Sequence, residues 1–157
     1  MDKKANKKVV SLIFIIYCLI LLKLILFKYP RALIKELLVC WNLEMLDRNI
    51  KDANFIPFSS IRRDILTLNS YYIKVLIYNI MAFIPMGFLL PLISKRARNM
   101  YFTIIVATAF SFLIEITQLI TVLGTFDIDD ILLNTLGTLI GYVLYLAFIR
   151  IRHVVYK

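Results

Sequence analysis

The sequence predicts an all-α integral membrane protein, a bundle of about four transmembrane helices with one amphipathic helix outside the bilayer. Of its 157 residues, 61% are hydrophobic, whereas soluble domains are typically about 45–50% apolar. Four apolar runs each approach the ~20 residues that cross a ~30 Å hydrocarbon layer. We therefore expect a single domain, residues 1–157, with spans at about residues 9–27, 72–93, 101–123 and 131–149.

The charge distribution fits a membrane protein better than a nucleic-acid-binding protein. The formal net charge is +9, but the lysines and arginines flank the apolar runs. At such positions basic residues set the topology and contact anionic lipids. We expect membrane lipids as partners and no nucleic acid.

The first span, residues 9–27, follows a lysine-rich amino terminus. This pattern resembles a signal peptide, but no small-residue cleavage site follows, so we expect a retained span. Lys23 near its far end suits a lysine that snorkels to the interface, or a cation that faces the acidic residues 127–130. Cys18 lies in this span and Cys40 well outside it, with no metal-binding spacing, so the sequence predicts neither a disulfide nor a cofactor.

Residues 28–71 form the one long polar connection, which the sequence places outside the cytoplasm. Apolar side chains recur at helical spacing over residues 32–47, with Trp41 among them, which predicts an interfacial amphipathic helix. Residues 54–58 should be extended or form a turn, because a proline disfavours helical geometry in the residue before it. Three arginines of this connection are candidates for contacts with lipid headgroups: Arg48, Arg62 and Arg63.

Prolines and glycines mark the second and fourth spans. Pro85 and Pro91 should bend or break the second span, with a kink at Pro85-Met86-Gly87. Gly137 and Gly141 in the fourth span form a G-x-x-x-G pattern, which is typical of close contact between membrane helices. That contact lies within one chain or, as an alternative, in a homo-oligomer.

The orientation follows from the positions of the basic residues. The amino terminus, the 95–98 loop and the carboxyl tail are rich in lysine and arginine, whereas the 124–130 loop has three acids and no base. Because basic loops stay on the inner side, we expect both termini in the cytoplasm and the 28–71 connection outside.

Polar residues of separate spans fall at similar depths beneath the outer surface. With a rise of 1.5 Å per residue, Glu115 lies about 12 Å deep, Asn79 about 10 Å and Asn134 about 6 Å. Gln118 is one turn shallower than Glu115. These residues predict a polar cleft that opens outward, with Asp127 and Asp130 at its mouth.

Glu115 and the acidic cluster each allow more than one interpretation. A carboxylate near the bilayer centre costs roughly 2.5–3.5 kcal/mol on insertion scales, so Glu115 either belongs to a site or joins helices by hydrogen bonds to Asn134 or Asn79. In the cluster, Asp127 or Asp129 would cap the fourth span. Otherwise Asp127, Asp129 and Asp130 would bind a divalent cation, or pair with Arg48, Arg62, Arg63 or Lys23.

Three segments, in this order, resemble motifs of the VanZ-like family: Asn79-Ile-Met-Ala-Phe-Ile-Pro-Met-Gly87, Glu115-Ile-Thr-Gln118 and Asp127-Ile-Asp-Asp-Ile-Leu-Leu-Asn-Thr-Leu-Gly137. Residues 54–58 are similar to a further sequence pattern of this family. The whole resemblance covers about residues 9–150. It implies a small bacterial membrane protein of the cell envelope, whose namesake is linked to teicoplanin resistance. The residues of this chain that match positions of the family's motifs are Asn79, Pro85, Gly87, Glu115, Gln118, Asp127, Asp130, Asn134 and Gly137.

Two classes of function compete on this evidence. The first, which we favour, is a non-enzymatic envelope protein whose cleft binds a lipid, a lipid-linked cell-wall intermediate or the lipophilic glycopeptide itself. The second is an intramembrane enzyme acting on a polyprenyl or phospholipid substrate, with Glu115 as general acid or base and the acidic cluster as a candidate metal site. His153 lies on the opposite side by this topology, which disfavours histidine-based catalysis. A transporter, which would have to dimerise, ranks last.

Overall fold

The computed structural model describes residues 3–26 and 30–155, which form seven α-helices and no strand. Four long helices are α1 (Lys3–Leu26), α5 (Ser70–Ile93), α6 (Met100–Thr121) and α7 (Ile128–Val155). Three short ones are α2 (Arg31–Val39), α3 (Leu43–Lys51) and α4 (Ser59–Leu66). We call residues 30–69, which hold α2 to α4, the cap.

Each predicted span lies largely within one long helix, and each long helix is long and apolar enough to cross a membrane. The all-α class is confirmed, and the chain is a multi-pass membrane protein. Residues 27–29, where the first span was expected to end and the connection to begin, lie outside the described residues. The orientation of the termini stays a prediction.

Helices α5 and α7 run parallel and form the closest helix pair of the bundle. A Cβ added to Gly137 would lie 2.0 Å from the carbonyl oxygen of Ile80. One added to Gly87 would lie 1.9 Å from that of Thr138, and Gly141 is equally close to α5 one turn further on. The predicted close contact is therefore confirmed. Because α5 occupies this glycine face, the face is not available for the homo-oligomer considered above.

Helix α5 continues through Pro85 and Pro91, so the second span does not break at either proline, and a bend at Pro85-Met86-Gly87 stays a prediction. Proline removes one hydrogen bond of the helix, but α5 packs against α1, α6 and α7. The Tyr17 hydroxyl of α1 donates to the Ala82 carbonyl of α5 at 2.7 Å, close to Pro85. Packing on several sides keeps the helical geometry that the isolated sequence would lose.

The cap departs from the single amphipathic helix predicted over residues 32–47. The chain forms two helices there, α2 and α3, because Asn42 caps the second one: its side chain accepts from the Met45 N–H at 2.9 Å. The apolar stripe continues past Asn42, so the helical spacing of the apolar residues could not show that one helix ends and another begins there. Helix α4 was not predicted, whereas the extended or turn conformation of residues 54–58 is confirmed.

The cap lies at the end of the bundle where α1 and α6 finish and α5 and α7 begin. Backbone carbonyls in the last turn of a helix lack partners within it. Here the Trp41 indole N–H donates to the Ile120 carbonyl at 2.8 Å. The Asn49 amide donates to the carbonyls of Leu119 at 2.9 Å and Gly124 at 2.8 Å. The cap thus closes the end of α6, and we call this the capped end of the bundle.

Candidate functional site

A short backbone pairing joins the cap to the turn between α6 and α7. The Asn54 N–H donates to the Phe126 carbonyl at 2.8 Å, and the Ile128 N–H donates to the Asn54 carbonyl at 3.0 Å. The Asn54 amide also donates to Asp127 Oδ1 at 2.8 Å. The same oxygen accepts from the Asp129 N–H at 2.8 Å. Asp127 is therefore the N-cap residue of the fourth span, as one interpretation of the cluster predicted. Its side chain also joins that span to residues 30–69, the cap.

Asp129 caps a different helix, the unpredicted α4. Its side chain is 1% exposed and accepts from the backbone N–H groups of Phe58, Ser60 at 2.8 Å and Ile61 at 3.1 Å. A carboxylate at a helix amino terminus is favoured by the helix dipole and forms strong charge-assisted hydrogen bonds. Phe58, with φ 66°, has a backbone conformation that side chains disfavour, and its bond to Asp129 holds it there.

The divalent-cation hypothesis requires the oxygens of Asp127, Asp129 and Asp130 to converge. Instead, Asp129 directs both oxygens to α4, and Asp130 accepts from the Asn79 amide. Over residues 3–26 and 30–155, no group of three or more His, Cys, Asp or Glu side chains could hold a metal ion. A cation bound by Asp129 would have to displace the backbone N–H groups at the amino terminus of α4 from its carboxylate.

Two of the three arginines predicted to pair with the acidic cluster have partners within the cap. Arg48 forms an ion pair with Glu44 on α3, and the Arg63 guanidinium lies 3.4 Å from Asp64 on α4. Arg62 is exposed, as is Lys23 on α1. The hydrogen bonds of Asp127 and Asp129 described above come instead from an amide and from backbone N–H groups.

Glu115 lies beneath the turn that joins α6 to α7. It is 2% exposed and accepts from the Asp127 backbone N–H at 2.9 Å. Asn134 is buried as well and donates to the Ser111 hydroxyl of α6 at 2.8 Å. These buried contacts join α6, α7 and their connecting turn at the capped end.

A cavity of about 550 Å³ lies next to these contacts, between α1, α5 and the ends of α6 and α7. Its polar residues are Asn79, Gln118 and Asp130, one from each of three helices. Its other lining residues are apolar or aromatic: Leu21, Leu24, Ile25, Val75, Tyr78, Met81 and Ala82. Three of the six residues predicted to form the cleft therefore share one cavity, whereas Glu115, Asp127 and Asn134 are not among its lining residues.

Both amides of this cavity are oriented by hydrogen bonds to the protein. The Asn79 amide N–H donates to Asp130 Oδ1, and the Gln118 amide N–H donates to the Ile25 carbonyl at 3.2 Å. The bonds join α5 to α7 and α6 to α1, so they position the polar residues and hold the helices around the cavity.

A second hollow, of about 570 Å³, lies on the cap. It is lined by two of the predicted headgroup arginines, Arg62 and Arg63, and by exposed apolar residues of α4 and the preceding loop. Arg48 lies elsewhere, on α3. We call this hollow the arginine groove; its other lining residues are Ile56, Pro57, Phe58, Ser59 and Leu66.

Asn49 and Ser60 form hydrogen bonds at the capped end but were not predicted from the sequence to be site residues. Asn49 is 7% exposed and holds the end of α6, although it lies in the polar connection between the first two spans. Ser60 accepts from the Asn54 amide at 3.0 Å. No periodicity or motif spacing distinguishes either residue from its polar neighbours.

A family model described as VanZ/LLP1 matches residues 14–150, which extend from α1 to α7. The match confirms the resemblance seen in the motifs around Asn79, Glu115 and Asp127. No curated protein and no solved structure matched the chain in the corresponding comparisons.

Proposed function

Since the chain belongs to the VanZ/LLP1 family, we propose that it binds a lipid or a lipid-linked cell-wall component at the capped end of its bundle. It would act in the bacterial cytoplasmic membrane, with both termini in the cytoplasm and the cap outside. By binding this ligand, or the lipophilic glycopeptide itself, it would contribute to teicoplanin-type resistance.

The observation that carries the proposal is the composition of the cavity. Its walls are mostly apolar, while Asn79, Gln118 and Asp130 provide polar atoms. Ligand sites are typically clefts of ~300–1,000 Å³ lined by apolar side chains with a few placed polar groups. An amphiphile matches this distribution, because its chain can contact the aliphatic walls while its polar group meets the three polar side chains.

The arginine groove supports a position of the cap at the membrane surface. Phe58 and Leu66 are 64% and 70% exposed, and they lie beside Arg62 and Arg63. Exposed apolar side chains next to arginines are typical of interfacial elements. Arginine can also bind phosphate oxygens with two parallel hydrogen bonds, so anionic headgroups of the leaflet are suitable partners for the groove.

We favour binding without turnover over the enzymatic alternative. Glu115, the candidate acid or base, is buried, is not a lining residue of the cavity and accepts a hydrogen bond from the Asp127 N–H. A general acid or base must reach the reacting group directly or through one water molecule. His153 lies near the other end of α7, remote from the capped end.

The proposal can be tested by filling the cavity. Val75→Trp should reduce the lipid that co-purifies with the protein and, at equal expression, restore teicoplanin susceptibility. Leu113→Trp is the matched control, because Leu113 is 61% exposed on α6 and does not line the cavity. Asp130→Asn should likewise weaken resistance. Lipid content and susceptibility that do not distinguish Val75→Trp from Leu113→Trp would contradict the proposal.

A further inference from the structure

We infer that a phospholipid of the surrounding leaflet enters the cavity sideways, between α1 and α5, and that its phosphate stays at the membrane surface beside Lys74 of α5. The lipid thus reaches the cavity through the hydrocarbon layer and does not pass through the water above the cap. The inference rests on the proposed function, because it specifies the ligand of the same cavity and its route of entry.

The first step concerns the side on which the cavity is open. Among the described residues that line it, Leu24 of α1 and Tyr78 and Met81 of α5 are 58–66% exposed. The lining residues on α6 and α7 are buried or half-buried, and Gln118 of α6 forms part of the inner wall. The opening therefore lies between α1 and α5, on the flank of the bundle.

The second step concerns the length of this opening. The Tyr17 hydroxyl of α1 donates to the Ala82 carbonyl of α5 at 2.7 Å, and this bond joins the two helices at the deep end of the cavity. From Tyr17 to Ile25, a lining residue nearer the capped end, α1 rises about 12 Å. An alkyl chain that lies along this gap contacts apolar side chains of both helices, such as Leu21 and Val75.

The third step concerns the medium outside the opening. Tyr71 and Tyr72 lie in the first turn of α5, and tyrosines at the ends of membrane helices typically mark the headgroup level. Tyr78 and Met81 lie about 10 Å and 15 Å further along the axis. The headgroup region is only about 5–8 Å thick on each side of the bilayer. Because its rim lies deeper than this, the opening faces the chains of the surrounding phospholipids.

The fourth step concerns the charge above the opening. Lys74 lies one turn before Tyr78, so both residues share one edge of α5. Its Cα–Cβ bond tilts toward the amino terminus of the helix, which is the capped end. Lys74 is exposed and, within the described parts of the chain, takes part in none of the ion pairs. A phosphate beside this ammonium group would place the glycerol esters deeper, toward Asn79, which lies about 8 Å further along α5.

The first experiment closes the opening. Leu24→Cys and Tyr78→Cys, in a Cys18→Ser and Cys40→Ser background, are joined in the full-length protein by a bismaleimide that contains a cleavable disulfide. The protein, with its bound lipid, is placed in vesicles of brominated phosphatidylglycerol, and native mass spectrometry follows the replacement of that lipid. Replacement should be about tenfold or more slower than in the same protein after cleavage of the linker. Equal rates, with bound lipid still lost in Val75→Trp, would overturn the side entry and leave the proposed function standing.

A second measurement needs no bridge. Benzoylphenylalanine in place of Tyr78 should, on irradiation in phosphatidylglycerol vesicles, form adducts with the acyl chain, and Val75→Trp should lower their yield several-fold. The control is benzoylphenylalanine in place of Leu113, which is exposed on α6 and reports the surrounding lipid, so Val75→Trp should leave its yield unchanged. A yield that Val75→Trp changes equally at both positions would contradict the location of the opening.

The position of the phosphate is tested in vesicles with equal amounts of phosphatidylglycerol and phosphatidylcholine. Lys74→Gln should lower the ratio of the bound anionic lipid to the bound zwitterionic lipid about three- to fivefold. Lys23→Gln is the matched control, because Lys23 is exposed on α1 and lies about 200° around the helix from Leu21. Equal ratios in the two variants would overturn the role of Lys74. Recovery of a polyprenyl phosphate as the bound lipid would overturn the phospholipid as occupant, and recovery of no lipid at all would overturn the proposed function as well.

Discussion

Asp129 should control the attachment of the cap to the bundle, and Asp129→Asn tests this with a nearly isosteric change. The native carboxylate is 1% exposed and accepts three backbone N–H bonds from α4 and the residue before it. In asparagine one oxygen becomes an NH₂ group. That group would face N–H donors, so at least one bond is lost.

The expected cost follows from these contacts. A buried polar group left without a partner costs about 1–3 kcal/mol, and a hydrogen bond to a charged group contributes about 1.5–3 kcal/mol. Loss of the charge also removes its favourable interaction with the amino terminus of α4. We therefore expect Asp129→Asn to lower the free energy of unfolding by about 2–4 kcal/mol.

Two measurements follow the cap and the whole fold separately. Thermal unfolding in detergent reports the loss of stability, and trypsin cleavage at Arg62 and Arg63 reports release of α4. The control is Asp47→Asn, which removes an exposed ion pair with Lys51 and should cost no more than about 1 kcal/mol. If Asp129→Asn unfolds at the same temperature and is cleaved at the same rate as this control, Asp129 does not hold the cap.

Three further predictions concern other contacts. Gly137→Ala should destabilise the protein by about 1–3 kcal/mol, although alanine favours helices, because the new Cβ would lie 2.0 Å from a backbone oxygen of α5; thermal unfolding measures the change. Asn49→Ala should cost about 2 kcal/mol, measured in the same way, because the Leu119 carbonyl in α6 and the Gly124 carbonyl in the turn after it lose their donor. In a Cys18→Ser background, Cys40, which is exposed on the cap, should react with a membrane-impermeant maleimide added outside intact cells.

Each of these predictions has a control and a contradicting result. Gly124→Ala is the control variant for Gly137→Ala, since the atoms nearest to its new Cβ belong to the flexible Gln118 side chain, at 3.0 Å. If both substitutions lower the unfolding temperature equally, crowding against the α5 backbone is not the cause. An unchanged unfolding temperature in Asn49→Ala would show that water replaces the amide. Labelling of Cys40 only after the cells are opened would show that the cap lies in the cytoplasm and that the predicted topology is inverted.

The spans could be predicted because their signal is local. A helix needs ~20 apolar residues to cross the bilayer, and composition alone reveals such runs whatever they pack against. The G-x-x-x-G pattern of Gly137 and Gly141 was equally informative, since a missing side chain is useful where two backbones approach. Its partner helix, α5, could not be read from the pattern.

Local rules failed where distant parts of the chain changed the outcome. Pro85 and Pro91 carry a strong helix-breaking signal, but neighbouring helices pack against α5 and it continues through both. Helix α4 has a weak local signal and a strained residue, Phe58, before it. It is capped by Asp129, which lies 69 residues further along the chain than Ser60.

The class of protein and its four spans follow from local hydrophobicity, because hydropathy and helix length are properties of each segment alone. What the polar residues contact depends on the tertiary fold. Asn79, Gln118 and Asp130 border a common cavity, whereas Asp129 caps a helix and Glu115 supports a turn. Hydrogen-bond partners depend on which backbone groups lack partners elsewhere in the fold, and hydropathy and spacing do not contain that information.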